Sequence, residues 1–409
     1  MKTKVVNGLI PLYVKEFSCI GSSCEDTCCS GWKVPIDNTA YKKYNNVKDK
    51  ELKTKIKENI TRNRNNPTKD YMASFIMGSK GCSLQDEKGL CEIHSKLGES
   101  FLCNTCAVYP RVNNLVNGVT EQTLTVSCPE AARLVLLNKN GIEFEQTKLE
   151  MKRDVYVYVA RTNKEEIKDW TDLFDEYRYV TILILQHRQY SLEERLLLLG
   201  LMYNEIDENV KSGNLNNIPT VLGEYLEALD KKDLKEALKT VNHRKDIQLR
   251  ICRELLLVRM SSGIYADRYI ECLREMSEGL NISKTTTDDE VLESYESAYE
   301  LYYKPFMVEN EYLLENYLVN YVFKNCMPIE EKNPFDSYSK MVLHYALLKI
   351  HLIGMSNFHK GLSSELVVKL VQSLSKTYEH STFFLDEIKK SLQDGNMMNL
   401  TYMSILINN

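Results

Sequence analysis

The chain has 409 residues, enough for two or three ordinary domains, so a full hydrophobic core needs no help from metals or disulfides. With 43% hydrophobic and 27% charged residues it falls outside the disordered and membrane classes. A net charge of −5 gives no general attraction to phosphate backbones, which argues against nucleic acid as a partner.

In chain order, the opening MKTKVVNGLIPLYVKEF is broken by Lys15 and Glu16 rather than built as a signal-peptide core, and no later run reaches the length of a membrane span. A cytoplasmic location without a membrane partner is therefore expected. The stretch from Lys42 to Lys69 is rich in Lys and Arg and reads as a solvated face, with one surface helix over Lys42 to Ile60. Asp86-Glu87-Lys88-Gly89 is a turn that would bring Cys82 and Cys91 together. Val112 to Val126 reads as a hairpin around Asn117-Gly118, a strong two-residue turn signal. In that register position i faces 235 − i, which would set Cys106 almost opposite Cys128.

From Ala131 onward apolar residues fall at helical spacing. Val155 to Ala160 is the one stretch that passes for a strand. Ser191-Leu-Glu-Glu194 is a capping box ahead of LLLLGLMYNEI. Helices are then expected over Pro219 to Leu229, Asp233 to Asn242, Ile247 to Ser262, Ala266 to Leu280, Asp288 to Tyr303, Tyr312 to Asn325, Tyr338 to Met355 and Ser363 to Tyr378, with a closing helix from Thr382. The fold class expected is mainly α: a small cysteine-rich α+β metal-binding module over 1–130, packed on a large all-helical body over 131–409.

Nine of the twelve cysteines, Cys19, Cys24, Cys28, Cys29, Cys82, Cys91, Cys103, Cys106 and Cys128, lie in the first third. In a reducing compartment such density points to metal or redox chemistry before structural disulfides. Cys252, Cys272 and Cys326 are scattered through helical sequence and read as small buried hydrophobes. A structural zinc or a cubane cluster takes four thiolates, so the nine permit two sites with one thiol over. Only Cys103-x-x-Cys106 has the tidy pairing of a zinc site, and the irregular spacings suit an iron-sulfur cradle better. Adjacent Cys28 and Cys29 point in different directions, so both are not expected on one metal atom. His94 follows Cys91 closely and is a further candidate ligand, although a lone turn histidine is more often solvated.

These residues resemble a known family. Cys19 to Cys29, then Cys82 and Cys91, then Cys106-Ala-Val-Tyr109-Pro110, are similar to the zinc- or iron-chelating cysteine-cluster proteins. CEDTCCSGWKVPID, GESFLCNTCAVYPR, SCPEAARL from Ser127 and ENYLVNYVFKNCMP from Glu315 look like the flagellin lysine-N-methylases along essentially the whole chain. The resemblance implies an enzyme, a methyltransferase acting on the ε-amine of flagellin lysines. S-adenosylmethionine would be the donor, and an iron-sulfur cluster, 4Fe-4S in type with zinc as the alternative, would be held by the nine N-terminal cysteines. The other reading is a non-enzymatic zinc- or iron-binding delivery protein.

Two departures stand out. No G-x-G-x-x-G follows a strand, which disfavours a Rossmann methyltransferase. Nor is there a Cys-x-x-x-Cys-x-x-Cys of radical enzymes, because Cys24-x-x-x-Cys28 is followed at once by Cys29. Polar methyl transfer to a lysine, whose ammonium has a reference pKa of about 10.4, needs a desolvated site or a base. Glu25, Asp26 and Asp37 are candidates, read against the plainer roles of caps and surface charges. Tyr317 and Tyr321 at i, i+4 are a candidate ring pair for a methylammonium, or core packing. His344 and His351, two turns apart, read as satisfied histidines rather than a metal pair.

Overall fold

The computed structural model describes residues 3–30, 32–78, 81–163, 166–229, 244, 247–249, 266–283, 285–378 and 389–408. Among these the chain is mainly helical, with a small α+β region toward its N-terminal end.

That region has its own core. Val34, Ile36, Tyr44, Leu52, Ile56 and Phe75 close over one another with Cys103 buried among them, and Cys82, Cys91 and Cys106 pack against the edge. The single helix expected over Lys42 to Ile60 is instead two, Asn38–Asn45 and Lys50–Glu58. Asn45 and Asn46 turn their amides back onto the carbonyls of Tyr41 and Lys42, each at 3.0 Å, which competes with helix continuation. The Asp49 carboxylate then accepts from the Leu52 N–H at 3.0 Å and starts the second helix. The bend turns Tyr44, Leu52 and Ile56 toward one interior.

Strands Arg111–Val116 and Val119–Leu124 pair in the expected register, from Arg111 with Leu124 to Val116 with Val119. Asn117 at φ 49° and Gly118 at φ 81° supply the two left-handed residues that such a hairpin turn demands. The hairpin sits inside a five-stranded mixed sheet, in the order Val159–Ala160, Arg111–Val116, Val119–Leu124, Lys4–Pro11, Phe144–Met151. Lys4–Pro11 runs parallel to Val119–Leu124 and antiparallel to Phe144–Met151. Only Val159–Ala160 of the Val155 to Ala160 stretch is strand, and Phe144–Met151 adds a strand to a region expected to be helical throughout. Its inward side chains are half-buried until Met151, so no sharp apolar alternation marks it. Among the described residues there is no doubly wound parallel sheet, in keeping with the absent glycine fingerprint.

The larger core surrounds Pro334–His359, which is buried on every face along most of its length and therefore belongs at the centre of a helical assembly. Leu192–Ser212, Asp267–Gly279, Ser364–Tyr378 and Leu400–Ile407 pack on it. Ser191 and Glu194 form the expected capping box, and Tyr312–Asn325 has the expected bounds. The Asp288 to Tyr303 expectation divides into Asp288–Ala298 and a π-helical turn over Tyr299–Tyr303. The expected helix Asp233 to Asn242, most of Ile247 to Ser262 with Cys252, and the start of the closing helix from Thr382 lie outside the described residues.

Polar contacts join sheet to helices. Asn320 Oδ1 accepts from the Thr123 hydroxyl at 3.0 Å and from the Tyr13 hydroxyl. Asn114 donates to the Lys324 carbonyl at 2.9 Å, and Arg178 grips Glu121 with two bonds of 2.5 and 2.6 Å. A bidentate pair of this kind fixes orientation as well as charge.

Where Asp267–Gly279 crosses the central helix, backbone meets backbone. A Cβ at Gly279 would stand 1.9 Å from the Gly354 carbonyl oxygen. Gly279→Ala is expected to force the helices apart and destabilise the protein by about 1–3 kcal/mol or more. Denaturant unfolding of the variant checks this, and an unchanged midpoint would contradict the crossing.

Candidate functional site

The segment carrying Cys19, Cys24, Cys28 and Cys29 has no regular structure beyond the 3-10 turn Gly21–Ser23, so side chains from elsewhere hold it. Lys376 Nζ, only 2% exposed as a side chain, donates to Asp26 Oδ1 at 2.8 Å, the Thr27 carbonyl at 2.8 Å and Ser30 Oγ at 2.9 Å. Gln372 donates to Asp26 Oδ2 at 2.8 Å and to the Ser127 carbonyl at 2.9 Å. Arg133 pairs with Glu25 at 2.6 Å, Gln85 donates to the Thr27 hydroxyl at 2.8 Å, and the Cys82 N–H donates to the Cys29 carbonyl at 2.7 Å.

Distant thiols come within electrostatic reach of this loop. The Asp86 turn forms, with Gly89 N–H on the Asp86 carbonyl at 3.0 Å, and the charges of Cys82 and Cys91 act on one another and on Cys28 or Cys29. Cys106 lies in the charge field of Cys103, Cys29 and Cys91, Cys128 in that of Cys24 and Cys28. The hairpin register does not run on to Cys106 and Cys128: pairing stops at Arg111 with Leu124, and the two thiols leave on separate helices, Asn104–Val108 and Pro129–Leu136. They reach the loop in different company.

Cys91, Cys103 and Cys128 each occupy a helix N-cap. Nearby backbone amides favour negative charge on these sulfurs, those of His94 and Ile93 at Cys91, of Cys106 at Cys103, and of Ala131 and Glu130 at Cys128, although none of the three sulfurs accepts a helix-capping hydrogen bond. The Asp26 amide favours negative charge at Cys24 and the Leu84 amide at Cys82 in the same way. Such donors and helix ends favour thiolate. Burial opposes them, raising the thiols of Cys24, Cys82 and Cys91 and pushing Cys128 up to about 11.

Two pairs share a proton. The sulfurs of Cys28 and Cys29 are 3.8 Å apart; the hydrogen bond from Cys29 brings Cys28 down to about 7, with Lys376 assisting, and raises Cys29. Cys106 lowers Cys103 likewise and is itself raised. Cys19 is exposed, and none of the described cysteines is in a disulfide. Among the described residues no three or more His, Cys, Asp or Glu side chains are gathered closely enough to hold a single metal ion. His94 is exposed, and its backbone N–H rather than its ring serves Cys91. Cys272 and Cys326 are fully buried in the helical body, as expected.

Beside the thiols opens a cavity of about 860 Å³. Trp32, Asn104, Thr105 and Tyr109 form its wall on the cysteine side, and Tyr158, Tyr321, Glu330, His344 and Tyr378 line the helical side. The Trp32 indole donates to the Cys28 carbonyl at 3.0 Å and stacks on Tyr109 with ring centroids 5.9 Å apart. One plate of two rings thus separates cavity from sulfur loop.

The carboxylates singled out in the sequence serve structure. Glu25 and Asp26 are in the ion pairs above, and Asp37 caps Asn38–Asn45 while accepting from the Asn104 N–H at 2.8 Å. Glu330 was not foreseen: Oε1 accepts from Ser337 at 2.7 Å, whereas Oε2 is buried with no partner. Its neighbour Glu331 is held by Lys340 and Lys389, both at 2.8 Å. Of the tyrosine pair, Tyr317 bonds His344 Nδ1 at 3.1 Å, and only Tyr321 reaches the cavity. His351 is satisfied by the Leu347 carbonyl at 2.6 Å and Tyr269 at 3.1 Å, with burial lowering it to about 4.

Burial raises the Glu330 carboxyl to about 7. The folded chain therefore binds a proton there that the unfolded chain has released, and the stabilisation, complete below the unfolded pKa, is lost as pH rises through 7. Glu330→Gln cannot ionise and is expected to raise stability over the parent near pH 8, by about 3 kcal/mol at most, and to change it little below about pH 5. Thermal melts at the two pH values check the sign. Lys376→Met strands the Asp26 carboxylate and should cost about 3–5 kcal/mol, read by denaturant unfolding.

With this geometry the relatives are informative. The FliB lysine N-methylase C-terminal domain matches residues 178–406. Proteins named Lysine-N-methylase from Salmonella choleraesuis (strain SC-B67) and Salmonella typhimurium (strain LT2) are each 23% identical over 390 residues, covering 91% of this chain and 92% of the relative. Flagellar biosynthetic protein FliU of Salmonella muenchen is 31% identical over 138 residues, 34% of this chain and 82% of that protein. No solved structure matches. Because the matched domain spans more than half of the sequence, and includes Tyr321 and Glu330 of the cavity wall and Lys376, which holds the thiol loop, the chain belongs to the FliB lysine N-methylase family.

Proposed function

We propose that this protein transfers a methyl group from S-adenosylmethionine to lysine ε-amines of flagellin, with an iron-sulfur cluster held by the N-terminal thiols. The observation that carries the reading is the shared boundary: one cavity is bounded by the cysteine region on one side and by the family's own domain on the other. Its volume lies toward the top of the range for small-molecule sites, which leaves room for a donor and an entering side chain.

The donor set fits a polynuclear cluster better than one zinc ion. Cys28, Cys29, Cys82, Cys91, Cys103 and Cys106 act on one another electrostatically, yet no three converge on a single point. A cluster takes its thiolates at separate corners. Those six are the candidate ligands, with Cys24 and Cys128 flanking and Cys19 outermost. When bound, an iron-sulfur cluster supplies one-electron chemistry. The protein's own part is to hold the thiol loop through Lys376, Gln372 and the Trp32 indole, and to offer aromatic ring faces to cations entering the cavity. A flagellar partner is supported by the name of one relative, a flagellar biosynthetic protein.

Incubating anaerobically purified protein with flagellin and methyl-labelled S-adenosylmethionine should put label on lysine. Cys28→Ser and Cys91→Ser should lose iron, sulfide and transfer together, while Cys19→Ser keeps all three. Donor binding without any transfer to flagellin would overturn the substrate, and full transfer by iron-free protein would overturn the cluster. If the donor does not bind at all, a metal-delivery protein becomes the better reading.

A further inference from the structure

We propose that the basic outer face of the α+β region is a docking surface for an acidic patch on the protein substrate, set beside the cavity that a lysine of the docked partner would enter. This rests on the reading of the protein as a lysine methylase and names how it holds a folded protein rather than a free amino acid.

Charge is divided sharply along this chain. Residues 42–69 contain ten Lys and Arg against three Asp and Glu, a net +7 in a chain whose total is −5, so the remaining residues carry −12. Lys42, Lys48, Lys50, Lys57, Arg62 and Arg64 are exposed, and among the described residues Lys55 alone of this stretch is in an ion pair, with Glu92. Gathering unpaired like charges costs self-repulsion, which an acidic partner removes. The face is fixed from within, because Tyr44, Leu52 and Ile56 pack in the core beneath it and Asp49 caps Lys50–Glu58. It also adjoins the cavity. The Asp37 carboxylate that caps Asn38–Asn45 accepts from the Asn104 N–H at 2.8 Å, and Asn104 and Thr105 line the cavity. Lys42 comes five positions after Asp37, about 8 Å along the helix axis.

The surroundings of the face select a protein among anionic partners. Proteins that bind nucleic acid without sequence preference set aromatic rings among their cations for bases to stack on, and the one aromatic residue of 42–69, Tyr44, is buried. A helix that lies on a membrane turns an apolar face outward, whereas Leu52 and Ile56, the buried residues of Lys50–Glu58, belong to the core. A duplex or a bilayer also carries its charge past the edge of the patch, where the acidic remainder of the chain repels it. A folded protein can bring a local acidic patch to the basic face alone, since at physiological ionic strength a charge is felt over about 8 Å. Surfaces of opposite sign on one enzyme then fix the register of the partner, because a slip sets like charges against one another.

The test measures binding of monomeric flagellin to the full-length chain by biolayer interferometry, together with the KM for flagellin. Two charge reversals of equal size are compared: Lys50→Glu with Lys57→Glu on the face, and Lys360→Glu with Lys390→Glu, exposed lysines of the helical body. At low salt the first pair should weaken flagellin binding and raise its KM at least tenfold, and high salt should erase the difference. The second pair should stay within twofold of the parent, as should S-adenosylmethionine affinity in both variants. No flagellin binding by the parent, unchanged binding by the face variant, or equal loss in both variants would overturn the proposal. So would tighter binding of a short DNA duplex, or of phosphatidylglycerol vesicles, than of flagellin through Lys50 and Lys57. If the parent binds flagellin through this face but never methylates it, the functional reading fails and the docking surface stands. If parent and face variant methylate flagellin with the same KM, the docking surface alone fails.

Discussion

A single buried ammonium organises the meeting of the two halves of the site. Lys376 has three N–H donors, and Asp26, Thr27 and Ser30 supply three acceptors, so a charge withdrawn from water is fully satisfied. The Asp26 partner stands 350 residues away in sequence. The cysteine loop that carries this aspartate has almost no structure of its own; its shape is imposed by the helix Ser364–Tyr378, from which Lys376 and Gln372 both reach. The thiol region is therefore held in place by a helix of the family domain, which joins the two regions despite their separate cores.

The sulfurs are held in tension between two electrostatic demands. Helix N-termini and backbone amides draw negative charge onto Cys91, Cys103 and Cys128, while burial and neighbouring sulfurs resist it. Crowded thiols settle by sharing protons, as Cys28 with Cys29 and Cys103 with Cys106 do. A bound cationic centre would remove the conflict, taking thiolates and releasing their protons.

Much of this was legible in the sequence for local reasons. The Asn117-Gly118 turn fixed its hairpin to the residue, and Ser191 and Glu194 fixed a helix start. What escaped depended on the rest of the fold. Phe144–Met151 is a strand because Lys4–Pro11 offers it a partner, and Asn45-Asn46 break a helix by bonds that a periodic pattern does not record. Glu25, Asp26 and Asp37 drew notice because they stand near cysteines in sequence, yet each is engaged in holding the loop or a helix. Glu330 lies 202 residues beyond Cys128 by sequence position and joins the site only because its helix neighbours pack beside the sheet. Which carboxylate lacks a partner is a property of packing, and no motif announces it.

The chain contains only two tryptophans, and they stand in unlike surroundings. Trp170 is buried in the helical body against Tyr177. Trp32 hangs from the Cys28 carbonyl and leans on Tyr109 at the edge of the cavity. The two indoles therefore differ as reporters: the emission of Trp32 follows its contact with the thiol loop, and that of Trp170, packed in the helical core, provides the reference against which it is read.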